Sequence, residues 1–588
     1  MTEQELLKLL DMGEHSELEC KLAKGGLPKD VWETYSAFAN TKGGIILLGI
    51  EENNGVFSPV KGVDVVKLQK AFWDHINSKQ VSVNILQNDD VQPIKINEYN
   101  ILKITVPRAL RQQKPVSVNE NPYIGTYRRN FEGDYRCSKE EVDNMIAEAS
   151  NITRDSIVLD KYSFDDFDKD SFKRYRQRFA VRNPSNSWNE LDDIEFLRRI
   201  GGWDKDREKK VEGLTAAGLL VFGQEMNITN YFHNYFLDYR EHVNEYEGQR
   251  WSHRFTSQNG EWSGNLYDFY NKVIARINED LKVPFKIDDA DMSRVNDTDL
   301  HKALREALLN TIIHADYFTK GNIIVEKNIN EYKFINPGLL RIPLEKAISG
   351  GTSDARNKNI FKIFSLLGLG ERSGFGLENI HNTWKKYKWE LPSLEESFKP
   401  ENITLLLKTT PLIDNGVSQE LKKLFPNKYD TLDPYELKLL SFLYEQESIT
   451  LLDAQTILNQ KSTFINKIFM NLEQKQIIEK NYDNAQLSYT FFNSNKTDRD
   501  LLDTLRMKVT DIANSRRAKP QHLREAVLTI CEGRFLTLRE IAEILNRNET
   551  HLRKTIINPL LESNELILKY PNKPTHMNQA YKTYNLFT

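Results

Sequence analysis

Cysteine is scarce. Cys20, Cys137 and Cys531 are the three among 588 residues, and with no CxxC pair a disulfide framework or a cysteine-rich zinc site is excluded. Long apolar runs are also missing. The longest, Ile45–Ile50 and Leu214–Phe222, fall far short of the roughly 18 residues a membrane helix requires. The opening run MTEQELLKLL carries acids and no basic stretch, so no signal peptide is expected. Neither charge dominates: 80 Lys and Arg stand against 84 Asp and Glu, a net −4. Any nucleic-acid surface must therefore be local. A hydrophobic content of 39%, with 28 glycines and 19 prolines, excludes collagen-like and low-complexity chains. No GxxxxGK[ST] or set of helicase motor motifs occurs, so a helicase is not expected, and HExxH and GxSxG are absent as well. What remains is a soluble, cytoplasmic chain in a reducing compartment. Its length predicts about three to five folding units.

The present patterns divide it. Over 1–150, helical and strand periods alternate. Thr2 with Glu5 suggests a capping box, with Gly13 as its stop. Ser16–Lys21 alternates, placing Leu18 and Cys20 on one face and Glu17, Glu19 and Lys21 on the other. Val31–Ala39 is helical, Ile45–Ile50 reads as one strand buried on both sides, and Tyr99–Val106 and Tyr123–Arg128 as further strands. Ser138–Ala149 closes the unit as a helix. Residues 151–295 form a connecting α/β region, rich in charge and aromatics, with Leu214–Phe222 buried. Residues 296–410 hold a long helix at Leu300–Tyr317, two short strands, a glycine-containing stretch at Gly368–Gly376, a helix at Leu377–Tyr387 and a strand at Asn402–Lys408. Pro411–Asp430 reads as a linker. Residues 430–495 and 501–588 each show three helices followed by a hairpin, the outline of a winged helix-turn-helix. The fold class expected is thus a multidomain α/β chain with two α+β winged-helix domains at its end.

The run GEHSELECK (Gly13–Lys21), followed by AFANTKGGIILLGIEENNG (Ala37–Gly55) and KPVSV…NPYIGTYRRN (Lys114–Asn130), resembles the AlbA-like domain of the Schlafen family. Schlafen nucleases use three carboxylates of this constellation to cleave RNA, which implies Glu14, Glu19 and Glu51. Clustered oxygen ligands suit Mg²⁺ or Mn²⁺, which can activate water and stabilise an anionic phosphorus centre. Lys21 and Arg128 are the cations expected at nucleic acid. Many prokaryotic relatives are described only as nucleic-acid binders, so the resemblance also admits binding without cleavage. That reading stays open, as does one in which the acids merely partner Lys21 and Arg128.

In REALLNTIIHADY (Arg305–Tyr317), Glu306, Asn310 and His314 recur at i, i+4 and i+8, along one face of an otherwise apolar helix. This resembles the N-box of GHKL-type ATPases, in the form appended to RecG-like proteins. The resemblance implies that Glu306 orients water and Asn310 coordinates Mg²⁺. Asn336-Pro337-Gly338 stands where those proteins carry an Asp-x-Gly loop for adenine. GERSGFGLENI (Gly370–Ile380) resembles their glycine-rich loop, making Gly370, Gly374 and Gly376 candidates for cradling phosphates. ATP with Mg²⁺ is the implied cofactor; a degenerate, nucleotide-free fold is the alternative.

Residues 501–588 carry 14 Lys and Arg against nine Asp and Glu, a net +5. Arg547, His551, Arg553 and Lys554 stand at or near the start of the expected recognition helix, and Lys573 on the wing. Protein–protein work is the alternative for such modules. Together these readings predict an ATP-binding, nucleic-acid-binding transcriptional regulator or antiviral defence protein. DNA or RNA is its partner, a homo-oligomer is expected, and no membrane is involved. A metal-dependent nuclease controlled by the C-terminal half, a weak ATPase and a nucleotide-independent scaffold remain open.

Overall fold

A computed structural model of the chain describes residues 15–53, 56–96, 98–242, 251–279, 298–370, 374–458, 462–483, 486–492, 505–515, 518–532, 535–563, 565–569 and 579–584. The expected helix opening at Thr2 lies outside them. The chain divides into two units, Met1–Leu412 and Ile413–Thr588.

The alternation around Cys20 does make a strand. β1 (Leu18–Lys21) lies parallel to β2 (Gly44–Leu48), and the helix Val31–Asn40 supplies the crossover such a pair requires. Two glycines set the turn out of that helix. A Cβ on Gly43, at φ +86, would stand 2.8 Å from the Val106 carbonyl oxygen, and one on Gly44 2.7 Å from the Phe38 ring. The expected single strand Ile45–Ile50 is instead broken at Gly49, whose φ of +105 ends the pairing. Ile50 opens a separate hairpin of β3 (Ile50–Asn53) and β4 (Val56–Pro59). After the helix Val65–Ile76 come β5 (Val91–Ile96) and β6 (Tyr99–Val106), completing a four-stranded sheet of order β1-β2-β6-β5. The strand expected at Tyr123–Arg128 starts later. Asn121 accepts from the Tyr123 N–H and Pro122 begins a helical turn to Gly125. Only then does β7 (Tyr127–Asn130) pair with β8 (Gly133–Arg136). Ser138 and Glu141 form the capping box of the helix Lys139–Ala149.

In the middle of the unit, β9 (Val158–Leu159), β10 (Trp203–Asp206) and β11 (Val211–Thr215) make a small sheet. Leu214–Phe222 is buried as expected, but it changes from strand to helix where Thr215 caps Ala216–Phe222. A six-stranded sheet follows, of order β13-β12-β14-β15-β17-β16. Its strands are β12 (Leu237–His242), β13 (His253–Thr256), β14 (Ile323–Asn328), β15 (Glu331–Pro337), β16 (Ser393–Phe398) and β17 (Glu401–Lys408). All neighbours are antiparallel except β12 and β14. One hydrophobic core extends from Leu159 to Leu407, so 151–295 and 296–410 share it. The helix Asp299–His314 buries Leu304, Ala307, Leu308, Thr311 and Ile312, and so presents Glu306, Asn310 and His314 on its remaining stripe.

In the second unit the stretch expected as a linker contains a helix, Asn415–Leu424, because Asp414 accepts from the Gly416 and Val417 N–H groups and starts it. Helices Pro434–Gln446, Leu451–Leu458 and Ser462–Gln474 accompany a sheet of β18 (Ile449–Thr450), β19 (Ile478–Asp483) and β20 (Gln486–Phe491). The later copy has helices Pro520–Ile530 and Leu538–Leu545, then Glu549–Leu552 running on to Glu562. Its sheet joins β21 (Leu536–Thr537), β22 (Leu566–Leu568) and β23 (Ala580–Thr583), and in both sheets the last strand is central. The long helix widens to a π turn over Arg553–Ile557, next to Pro559, which lacks the N–H that a tight turn would use.

Candidate functional site

Glu19 and Lys21 share a face of β1, opposite Leu18 and Cys20 in their apolar cluster. The two carboxylate oxygens of Glu19 are each 2.8 Å from a cation, Lys21 Nζ and Arg129. Arg129 also pairs with Asp134 at 3.0 Å, donates to the His15 and Leu18 carbonyls, and lies over the Phe38 ring; its side chain is 1% exposed. Burial works against the charge on Lys21, but hydrogen bonds to Asp30 and Glu19 outweigh it and raise its pKa. Glu51 sits half-buried opposite Ser58 in the β3–β4 hairpin. Glu14 lies outside the described residues, and among the described ones no group of three or more His, Cys, Asp or Glu is placed to hold a metal. Arg128 points elsewhere: it pairs with Glu401 at 2.5 Å and Glu141 at 3.4 Å. Arg129, and not the neighbouring Arg128, therefore holds Glu19. The period-2 alternation of Tyr127–Asn130 could have separated the two.

Glu306, Asn310, His314, Asn336, Gly374 and Gly376 line one open cleft over the six-stranded sheet. Asn310 donates to Glu306 Oε1 at 3.3 Å. Directly across stands Gly376, where a Cβ would come within 2.2 Å of that same oxygen and 3.0 Å of Asn310 Nδ2. Gly374, at φ +73, would put a Cβ 2.9 Å from the Thr352 backbone. The left-handed backbone and the close approach to Thr352 require glycine at 374, whereas a Cβ at 376 would displace the Glu306 carboxylate from its place. Leu339, Ile342, Ile403 and Leu405 form an apolar wall, and Thr352, Ser353 and Asp354 a polar rim. Burial, with Arg356 and Arg341 nearby, lowers the His314 pKa to about 4, so its imidazole is neutral at pH 7. The Asn336 amide donates to the Pro337 carbonyl at 3.2 Å. Two expected positions lie off this cleft. Gly338, at φ +101, faces the Arg356 guanidinium, and Gly370 packs on Leu309 and Phe361 beside an adjoining cavity. The rim residues Thr352–Asp354 carry no periodic signal that would mark them in the sequence.

In the second unit, His551, Arg553 and Lys554 are exposed along one helix whose start Asn548 caps. Arg547 is turned inward, donating to the carbonyls of Ile512, Ser515, Leu545 and Asn546. Lys573 lies outside the described residues.

Comparison with known proteins places a Schlafen AlbA_2 domain over residues 14–137. Residues 143–238 match a domain of unknown function, DUF8451. No curated protein matches the chain. Among solved structures, the DIP2311 protein from Corynebacterium diphtheriae is similar at 16% identity over 99% of this chain and 100% of that one, with a TM-score of 0.36. The N-terminal domain of a RecG-related protein from Nitrosomonas europaea is similar at 29% identity over 23% of this chain and 94% of that one, with a TM-score of 0.19. No helix among the described residues is long and apolar enough to cross a membrane.

Proposed function

We propose that this chain is a nucleic-acid-binding regulator or defence protein whose central module binds ATP with Mg²⁺. The observation carrying the nucleotide reading is the meeting of Glu306 and Asn310 with Gly376 across the cleft, at a position a single Cβ would fill. The donor set suits the ligand. Asn310 would hold Mg²⁺, Glu306 would orient water, the backbone of Gly374 and Gly376 would receive phosphates, and the apolar wall would take a base. Bound Mg²⁺ would supply charge neutralisation for the phosphates. His314, kept neutral, adds no positive charge and can donate or accept one hydrogen bond.

The nucleic-acid reading is supported by the Schlafen AlbA_2 domain and by the exposed His551, Arg553 and Lys554 beside a three-stranded sheet, the outline of a winged helix. In the N-terminal domain Glu19 is already neutralised by Lys21 and Arg129, which favours a binding role over metal-dependent cleavage.

The test is a thermal shift of the full chain. ATP with Mg²⁺ at about 100 times its Kd should stabilise the protein by about 2.7 kcal/mol, and Asn310→Ala should abolish the shift. An unshifted melt at millimolar ATP sinks the nucleotide reading.

A further inference from the structure

We propose that the cleft between the Schlafen AlbA_2 domain and the central sheet is a second ligand site, taking a compact phosphate-bearing anion on Lys114 together with Arg108, Arg128 and Arg356. This narrow cleft is lined from one side by Arg108, Arg111, Lys114 and Arg128, and from the other by Arg341 and Arg356. Three carboxylates, Glu148, Asp316 and Glu401, also line it. The remaining partners of its arginines, Glu141, Asp354 and Glu396, stand outside the lining.

Each arginine has a carboxylate. Arg108 pairs with Glu396, Arg111 with Asp354, Arg128 with Glu401 and Glu141, Arg341 with Glu148 and Asp354, and Arg356 with Asp316 and Glu148. Lys114 differs: its ammonium donates to the Asn40 carbonyl at 3.1 Å, and no described carboxylate is at ion-pairing distance. Burial, with Arg108 and Arg128 alongside, holds its pKa well below the ordinary lysine value despite the pull of Glu396 and Glu401. Arg128 and Arg356, each 7% exposed, keep a buried Nε with no hydrogen-bond partner. A dianion with several acceptor oxygens would give Lys114 the anionic partner it lacks, with the lining guanidiniums of Arg108, Arg128 and Arg356 alongside. The free ion and the phosphate of a nucleotide share this chemistry. The site does not depend on nucleotide binding in the neighbouring cleft.

Calorimetric titration of the full chain with inorganic phosphate, pyrophosphate and AMP, at constant ionic strength, tests it. Saturable binding of at least one is expected, lost in Lys114→Met and retained in Asn310→Ala. Preference for AMP over the inorganic ions would identify a nucleotide as the source, and the reverse a free ion. Should Lys114→Met fail to fold, acetic anhydride labelling of the wild type, mapped by peptide mass spectrometry, decides: the anion should protect Lys114 at least several-fold. No saturable binding, binding unchanged in Lys114→Met, or labelling indifferent to the anion would overturn the proposal.

Discussion

Arg111 and Asp354 tie two parts of the first unit together: Nε of the arginine lies 2.5 Å from the carboxylate that rims the central cleft. The same guanidinium donates to the carbonyls of Glu148 at 2.8 Å and Ser150 at 2.7 Å. It thereby satisfies the C-terminal end of the helix Lys139–Ala149, where a cation is favoured. A side chain of the Schlafen AlbA_2 domain thus reaches the rim of a cleft in the next module.

Removing that arginine leaves Asp354 beside Arg341 alone and strips the helix end of its donor. Arg111→Ala should cost about 3 kcal/mol, as for one partner of a largely buried pair. Urea unfolding followed by tryptophan fluorescence measures this. Adding Asp354→Ala should cost much less than Asp354→Ala does in the wild type. Fully additive losses would mean the two are not coupled.

Glu19→Ala should also destabilise by about 3 kcal/mol, since it leaves Arg129 buried with Asp134 as its remaining carboxylate. Glu19→Gln, which keeps the oxygen acceptor, should lose less. Thermal melts by circular dichroism of both variants give the comparison. Equal melting temperatures for wild type and Glu19→Ala would contradict the structural role assigned to this carboxylate.

The two buried histidines set an acid limit. His314 and His381 both have pKa values lowered from 6.5 to about 4, chiefly by burial. Between those values these two side chains bind more protons in the unfolded chain than in the folded one, so their contribution to stability rises with pH over this window and levels off above about 6.5. His314→Leu should flatten part of that rise. A stability profile from pH 4 to 7.5, for wild type and variant, checks the sign.

On the second unit, Arg553→Ala with Lys554→Ala should weaken duplex DNA binding by the full chain. If both contact phosphate, the slope of log K against log salt becomes shallower by about 1.8. Arg547→Ala should act differently, lowering the melting temperature, because its guanidinium serves four backbone carbonyls. An unchanged salt slope in the double variant would remove this helix from the DNA interface.

Elements with strong local period were legible in the sequence: the helix Asp299–His314, β6, and the repeated helices of the second unit all arise from neighbours a few residues apart. Single residues defeated the period elsewhere. Gly49 breaks an apolar run with one left-handed residue, Pro122 converts an apparent strand to a turn, and Asp414 starts a helix inside an apparent linker. The spacing of Glu306, Asn310 and His314 announced a shared helical face. The rim of the cleft was not legible, because Arg111 and Asp354 meet across 243 positions of chain. Nothing local marks either as a partner. Likewise Arg128 and Arg129 are adjacent letters, and only the side of the strand each occupies decides that one meets Glu401 and the other Glu19.

The continuous core from Leu159 to Leu407 decides how this protein can be cut. A fragment starting at 296 would hold every named residue of the central cleft yet lose Leu219, Phe222, Phe269 and Tyr270, all buried against it. The helix Asp299–His314 would then expose an apolar flank to water, an aggregation liability. The shortest piece able to present the cleft in working form begins upstream of Leu159, more than a hundred residues before the first residue of the cleft.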